Sequence, residues 1–158
     1  MQYRSSWMTE ELDTFRDQFR KYLAKDLAPH AEKWRGQKMV DRSAWRGLGE
    51  MGALLASIPE AYGGLGATFA YEAAVLEDIE TVVPEMTTGV SVHSPIVAHY
   101  ILNYGSEEQK KRWLPKMASG EMVGAIAMTE PGTGSDLQSV KTSAKKQGNS
   151  YVINGQKT

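Results

Sequence analysis

Apolar residues recur at helical spacing over residues 9–120 of the chain. Thr9 is predicted to cap the first helix, because a threonine side chain can accept a hydrogen bond from a backbone N–H of the first turn. Glu10 and Glu11 follow in that turn, where the helix dipole favours negative charge. One face of this helix is marked by Leu12, Phe15, Phe19, Tyr22 and Leu23.

Four further helices are predicted on the same grounds. Pro29 is expected to kink or restart the first helix, since proline lacks the N–H that an interior helical position needs. Ser106 and Gln109 have the spacing of a capping box. The predicted helices cover residues 42–51 with Gly52 as the stop, residues 69–83, a segment that starts near Pro95 and includes Ile96, Val97, Tyr100 and Ile101, and residues 106–115 with its end near Pro115.

The pattern changes from helical to strand-like after Gly120. Residues 122–129 are predicted to form a buried strand, and residues 140–145 alternate as a half-buried strand does. Further signals are a Gly148-Asn149 turn, a strand at 151–153 and a hairpin turn at Asn154-Gly155. Only three residues follow that turn, so the predicted edge has no returning strand. We therefore expect the chain to be a fragment or to be completed by another chain.

Composition narrows the class of protein. The chain has 158 residues and a formal net charge of -1, which gives no steering toward nucleic acid or acidic lipid. It contains no cysteine, which excludes disulfides, thiolate metal ligands and cysteine nucleophiles. The sequence has neither a run of about 18 apolar residues nor an apolar signal core near its start. We expect an intracellular protein without a membrane span.

Glycine, proline and hydroxyl residues are concentrated in AMTEPGTGSDLQSVKT, residues 127–142. Pro131-Gly132 fits the centre of a type II turn, in which glycine supplies the positive φ, and Gly134 permits a second unusual conformation. Such a loop exposes N–H groups beside hydroxyls and is able to hold a phosphate or the polar edge of a ring. A plain strand-to-loop corner explains the same spacing, so the residues alone leave both interpretations open.

Other polar and glycine-rich features favour structural roles. The stretch PEAYGGLGA, residues 59–67, is predicted to be a tight connection between helices. His30, His93 and His99 are too scattered for a metal site and are expected on a helix surface or in the core. The basic stretch at residues 110–116 is expected to be a solvated helix face.

The segment AIAMTEPGTGSD, residues 125–136, resembles a motif of the acyl-CoA dehydrogenase family. PEAYGGLG and GSEEQKKRWLPKMASGE before it, and VKTSAKK and YVINGQK after it, support the resemblance, which covers essentially the whole chain. HSPIVAHYILNYGSEEQ is similar to the long-chain type within the family.

The resemblance implies a mainly α fold. An N-terminal helical domain, residues 1–121, is expected to precede residues 122–158 as the first strands of a truncated β-barrel-like middle domain. Members also have a C-terminal helical bundle, bind FAD and form homodimers or homotetramers. They oxidise acyl-CoA to trans-2-enoyl-CoA in fatty-acid β-oxidation and pass electrons to an electron-transferring flavoprotein. Such a protein is cytoplasmic, or lies in the mitochondrial matrix of a eukaryote.

Positions that match the family's motif take their expected roles from it. The residues implied to lie against the flavin ring are Ile126, Ala127, Met128 and Thr129. Met128 is the expected apolar contact, and Thr129 the hydroxyl donor to the pyrimidine edge. Gly134 and Ser135 close the loop, with Ser135 near both the FAD pyrophosphate and the substrate's pantetheine. The far end of the acyl pocket is implied to be lined by Thr87, Thr88 and Ser91. No metal site is implied.

The reaction removes an α-proton, so it needs a desolvated carboxylate base. The family's base is a glutamate of the C-terminal part, which residues 1–158 do not reach. We therefore expect no catalytic residue in this chain and no turnover by it alone. Glu130 is the carboxylate nearest the motif, and it is interpreted as a structural turn residue.

Two alternatives remain open on the sequence. An acyl-CoA oxidase or a flavin monooxygenase can use the same scaffold, and oxygen consumption with release of hydrogen peroxide distinguishes the oxidase. A non-catalytic helical binding module would keep the scaffold and lack a carboxylate base downstream.

Overall fold

The computed structural model describes residues 5–158. They form two compact units, one that ends at Ala125 and one that runs from Ile126 to Thr158. The helices of the first unit are α1 (Glu10–Tyr22), α2 (Ala31–Gln37), α3 (Arg42–Glu50), α4 (Phe69–Val82), α5 (Thr87–Ser91), α6 (His99–Tyr104) and α7 (Glu107–Ala118). Shorter helical turns are π-helical at Leu23–Leu27 and Val92–Ala98 and 3-10 at Ala28–His30, Glu60–Tyr62 and Pro84–Met86.

Side-chain caps fix the starts of two helices as predicted. The Thr9 hydroxyl accepts a hydrogen bond from the Leu12 N–H at 3.1 Å. At α7, the Ser106 hydroxyl accepts from the Gln109 N–H at 3.2 Å while the Gln109 side chain accepts from the Ser106 N–H at 2.8 Å. Each of these bonds satisfies an N–H that the helix leaves without a partner.

Helices α1, α3, α4 and α7 surround one apolar core. Phe19 has no exposed surface, and its ring stacks on Phe15 with the centroids 5.5 Å apart. The largest fully buried apolar side chains are Phe19, Leu12, Leu23, Leu48, Leu54, Leu55, Ile58, Ile79, Met86, Leu114 and Met117. Burial of this apolar surface is the main source of stability in the first unit.

A buried carboxylate ties α1 to α4. Asp78 is 1% exposed and accepts hydrogen bonds from Arg16 at 2.6 Å and from Arg20 at 2.8 Å. Glu77 also contacts Arg16 at 3.0 Å, but from an exposed position. The sequence pattern gave no sign that Asp78 would be buried.

Two predicted helix limits are wrong, and both involve proline. The helical path starts at Pro84 and runs through α5, Val92–Ala98 and α6, so Pro95 lies inside it. The wider π-helical turn there gives room for a proline ring that an α-helix would press against a carbonyl. Helix α7 continues past Pro115 to Ala118, because the residues after the proline, including Met117, are buried in the core.

The second unit contains a two-stranded antiparallel sheet. Strand β1 (Ser143–Gln147) pairs with β2 (Ser150–Asn154) around the Gly148-Asn149 turn, with Lys145 opposite Val152. This pairing confirms the predicted turn and second strand, and with the helices it confirms the mainly α fold class. The expected half-burial of the first strand is wrong, because every residue of both strands is exposed.

Residues 122–129 do not form the predicted buried strand. They have no regular structure, and Ile126 is 37% exposed. A strand needs a neighbour to pair with its N–H and C=O groups. Within the second unit the segment has one such backbone bond, from the Thr158 N–H to the Thr129 carbonyl at 2.9 Å.

Candidate functional site

The loop after Thr129 closes through a tight turn from Glu130 to Thr133. The backbone N–H and C=O groups of these two residues exchange hydrogen bonds of 3.0 and 2.9 Å. Pro131 and Gly132 occupy the centre of the turn, but Gly132 is not in the positive-φ region. The predicted type II turn is therefore wrong, because that turn requires a positive φ at its third residue. Gly134 is also outside that region.

The Glu130 side chain connects the turn to later parts of the loop. Its carboxylate accepts hydrogen bonds from the backbone N–H groups of Lys141 at 2.8 Å and Thr142 at 2.9 Å, and it pairs with the Lys157 ammonium at 3.0 Å. Hydrogen bonds from Thr142, the Lys141 N–H and the Lys157 ammonium lower the pKa of the Glu130 carboxyl to about 2. These contacts hold the loop together and agree with the interpretation of Glu130 as a structural turn residue.

Three more side chains hold the backbone around the turn. Lys157 donates to the Met128 carbonyl at 3.0 Å as well as pairing with Glu130. The buried Thr133 hydroxyl donates to the Ser139 carbonyl at 3.0 Å. Asp136 accepts from the Gln138 N–H at 3.2 Å at the start of a short 3-10 turn, Leu137–Ser139. The loop is thus fixed by its carboxylates and by Lys157, a residue that the sequence analysis did not single out.

The predicted flavin contacts in this loop face outward. Ile126, Ala127, Thr129, Gly134 and Ser135 are exposed, while Met128 is half-buried. A Cβ placed on Gly134 would have no heavy atom within 4 Å, so the space beside the loop is open. Within the described part of the chain, the hydroxyls of Thr129 and Ser135 have no hydrogen-bond partner, which leaves both available to a ligand.

The predicted acyl-pocket residues occupy one short helix. Thr87, Thr88 and Ser91 all belong to α5, and the Ser91 hydroxyl donates to the Thr88 carbonyl at 2.9 Å. Thr88 is exposed. The Thr87 hydroxyl is buried and finds no partner among residues 5–158. Helix α5 therefore combines one satisfied hydroxyl with one buried hydroxyl whose hydrogen-bonding capacity is unused.

Two family models match nearly all of the chain. The model for the acyl-CoA dehydrogenase N-terminal domain matches residues 9–121, and the model for the acyl-CoA dehydrogenase middle domain matches residues 125–158. The chain belongs to the acyl-CoA dehydrogenase family. No helix of residues 5–158 in this family member is long and apolar enough to cross a membrane.

Individual acyl-CoA dehydrogenases agree with this assignment. The mitochondrial long-chain specific acyl-CoA dehydrogenase of Sus scrofa is 44% identical over 94% of this chain and 34% of that protein. The crystal structure of an acyl-CoA dehydrogenase from Geobacillus kaustophilus is similar with a TM-score of 0.91 and 46% identity, over 98% of this chain and 40% of that one. The chain spans about a third of the length of the curated relatives that it matches first.

A third relative has bound cofactor. An acyl-CoA dehydrogenase from Bacillus anthracis complexed with FAD is similar with a TM-score of 0.87 and 31% identity, over 98% of this chain and 27% of that one.

The acyl-CoA dehydrogenase fold also buries polar groups that the sequence did not reveal. Of the two places expected for the histidines, helix surface or core, His93 takes the core: it is fully buried and bonds to backbone on both sides of its ring. Ser57 bonds both the buried Glu72 at 2.7 Å and His99 at 2.9 Å. These three residues come from separate segments, so no spacing in the sequence could have brought them together.

Proposed function

We propose that this chain is the N-terminal part of an FAD-dependent acyl-CoA dehydrogenase, which oxidises acyl-CoA to trans-2-enoyl-CoA in fatty-acid β-oxidation. The observation that carries the proposal is the loop of residues 126–136. Its backbone is fixed by Glu130, while the hydroxyls of Thr129 and Ser135, which match the family's flavin contacts, are exposed and have no hydrogen-bond partner among residues 5–158. Because the chain belongs to this family, we propose FAD as the ligand of this loop.

The residues of this loop fit FAD in their chemistry. Ile126 and Met128 supply apolar surface for a flat aromatic ring, and the Thr129 hydroxyl supplies a donor for the polar edge of such a ring. Ser135 adds a hydroxyl suited to a phosphate oxygen. The open space beside Gly134 lets a bulky ligand approach the backbone closely. The related dehydrogenase from Bacillus anthracis, which carries FAD, supports the same choice of cofactor.

The overall reaction removes two hydrogens from the substrate. A base takes the α-proton, and the β-hydrogen leaves as a hydride, so that a Cα–Cβ double bond forms. FAD, when bound, accepts the hydride. In this chain the Thr129 hydroxyl would donate a hydrogen bond where negative charge develops on the cofactor, which lowers the barrier to transfer. Apolar residues at 126 and 128 would exclude water from the reacting atoms.

We infer that the base comes from outside residues 1–158. Glu130 is not proposed as the base because its oxygens are engaged by Lys141, Thr142 and Lys157, and these contacts lower its pKa to about 2. Residues 1–158 alone are therefore expected to turn over no acyl-CoA. Turnover by this chain in isolation would refute that part of the proposal.

Substrate and partners follow from the same proposal. A long-chain acyl-CoA is the expected substrate, because a long-chain specific enzyme is 44% identical to this chain. Thr87, Thr88 and Ser91 are proposed to line the far end of its pocket. We propose residues 1–121 and 122–158 as parts of two domains of a homodimer or homotetramer. It passes electrons to an electron-transferring flavoprotein in the cytoplasm or, in a eukaryote, the mitochondrial matrix.

Flavin binding tests the assignment of the loop. The protein, made at the full length that its coding sequence specifies, should purify with FAD or bind it when added. Thr129→Val replaces the hydroxyl by a methyl group of similar size and should weaken FAD binding about fivefold, the loss expected for one hydrogen bond. Thr81→Val is the matched control, because Thr81 is exposed on α4 and bonds only within its helix. Equal affinity of both variants would contradict the role of Thr129.

The electron acceptor distinguishes the dehydrogenase from its nearest rival. A dehydrogenase should reduce an electron-transferring flavoprotein or an artificial dye and react slowly with oxygen. Fast oxygen consumption with stoichiometric hydrogen peroxide would instead assign the protein as an acyl-CoA oxidase.

A further inference from the structure

His93 makes two hydrogen bonds that require opposite roles from its two ring nitrogens. Its Nδ1 lies 2.9 Å from the backbone N of Gly124, and its Nε2 lies 3.1 Å from the Met117 carbonyl oxygen. A backbone N–H can only donate, so Nδ1 must accept and carry no proton. Nε2 then carries the proton and donates to Met117. Only the neutral Nε2–H tautomer satisfies both contacts.

The surroundings of His93 favour that neutral form. The ring is fully buried and meets Trp45 edge-on, with the centroids 5.3 Å apart. Burial lowers the pKa of His93 below its ordinary value, and the nearby charge of Arg42 lowers it further, although the Met117 hydrogen bond acts in the opposite direction. Protonation would turn Nδ1 into a donor and break the bond from Gly124.

Gly124 is half-buried and also lies close to Val97 and Met117 in the direction that a side chain would take. A Cβ added there would lie 2.8 Å from a methyl carbon of Val97 and 2.9 Å from the terminal carbon of Met117. Val97 belongs to the same π-helical turn as His93, and Met117 belongs to α7. A side chain at residue 124 would therefore force Val97 and Met117 to shift, while the Gly124 N–H is directed at His93.

The hydrogen bond between His93 and Gly124 lies next in sequence to the proposed flavin contacts. The helical unit ends at Ala125, and the proposed flavin contacts begin at Ile126, two residues after Gly124. We propose that His93 is a positioning residue for flavin binding, which fixes the backbone at Gly124, two residues along the chain before the first proposed flavin contact. This inference rests on the proposed function. The imidazole acts through the backbone of Gly124 and contacts neither the cofactor nor the substrate.

Two substitutions separate the bonds made by the ring. His93→Asn places an amide oxygen near the position of Nδ1, so it can still accept from Gly124 but loses the bond to Met117. His93→Gln places its amide near Nε2, so it can still donate to Met117 but leaves Gly124 without an acceptor. Both variants lose one hydrogen bond in the core and are expected to have similar thermal stability.

FAD affinity of the full-length protein is the deciding measurement. We expect His93→Gln to bind FAD about tenfold more weakly and His93→Asn to stay within about twofold of the unsubstituted protein. Hydrogen exchange at the Gly124 amide should be faster in the Gln variant only. Equal FAD affinity in the two variants, whether both are weakened or both unchanged, would overturn the positioning role.

Hydrogen exchange in the unsubstituted protein tests the same proposal if a variant does not fold. Coupling between two sites is reciprocal, so FAD binding must also strengthen the bond from Gly124 to His93. Exchange of the Gly124 amide in the unsubstituted protein should therefore slow when FAD is added, and an unchanged rate would overturn the proposal. If that protein binds no FAD at all, the proposed function itself is wrong and this inference falls with it.

Discussion

Every buried apolar side chain of the described residues lies between Leu12 and Ala118, whereas Glu130 and Thr133 have the only buried side chains after Ala125. The helical unit is stabilised by apolar burial, as a small independent domain is. The second unit is instead organised by polar bonds to one carboxylate, and every residue in both strands of its hairpin is exposed. The difference shows that a few polar contacts can hold a loop in place while the apolar residues beside it are exposed within residues 5–158.

The largest expected effect tests the difference in burial directly. In residues 1–158, Phe19→Ala should lower the free energy of unfolding by about 4 kcal/mol, because it empties a fully buried aromatic site. Ile153→Ala should change it by less than about 0.5 kcal/mol, since Ile153 is 70% exposed. Denaturant titration measures both. A loss at Ile153 comparable to that at Phe19 would show that the hairpin has an apolar cover of its own.

A second test addresses the buried charge of the helical unit. Asp78→Asn keeps the volume of the side chain but leaves Arg16 and Arg20 facing a neutral group, and it should cost about 3 kcal/mol. Glu77→Gln is the control on the same helix, because Glu77 contacts Arg16 from an exposed position and should cost less than about 0.5 kcal/mol. Similar losses of unfolding free energy in the two variants would mean that burial does not make Asp78 more important for stability than Glu77.

A smaller effect is expected at the N-terminus of α7. Ser106→Ala removes the hydroxyl that accepts from the Gln109 N–H and should cost about 1 kcal/mol. Ser106→Asp keeps an acceptor at the cap and should stay within about 0.5 kcal/mol of the unsubstituted chain. Thermal or denaturant unfolding measures both, and an equal loss would argue against the cap.

The smallest effect on global stability is expected for Glu130. Loss of its charge should loosen the loop around it without unfolding the rest of the chain. The folded pKa of this carboxyl, about 2, lies below its ordinary value of 4.5. Its stabilising contribution is therefore complete above the ordinary value and is lost as the pH falls from 4.5 toward about 2. Amide hydrogen exchange at Lys141 and Thr142 should rise over that range, and Glu130→Gln should raise it already at neutral pH. Exchange that is independent of pH below 4.5, after correction for the intrinsic rate, would contradict the role of Glu130.

The sequence was most informative where structure is local. The caps at Thr9 and Ser106, the stop at Gly52 and the Gly148-Asn149 turn depend on neighbouring residues, and the structure confirms them. The family motif likewise identified the loop, although not its turn geometry.

Two errors arose where contacts distant in the sequence decide the outcome. Helix α7 passes Pro115 because residues beyond it are buried, and residues 122–129 find no neighbouring strand to pair with among residues 5–158. Three hydrogen bonds join residues that are far apart in the sequence. Lys157 bonds Met128 across 29 residues, His93 bonds Gly124 across 31, and Asp78 bonds Arg16 across 62. Local patterns cannot predict such pairs.

The central claim is that residues 126–136 belong to a flavin site that oxidises acyl-CoA. The most direct measurement is the visible flavin absorbance of the FAD-loaded full-length protein during anaerobic addition of a long-chain acyl-CoA. We predict that the absorbance is bleached by the acyl-CoA, with formation of the 2-enoyl-CoA, and not by coenzyme A or the free fatty acid. Unchanged absorbance with acyl-CoAs of every chain length, in a protein that holds FAD, would contradict the account.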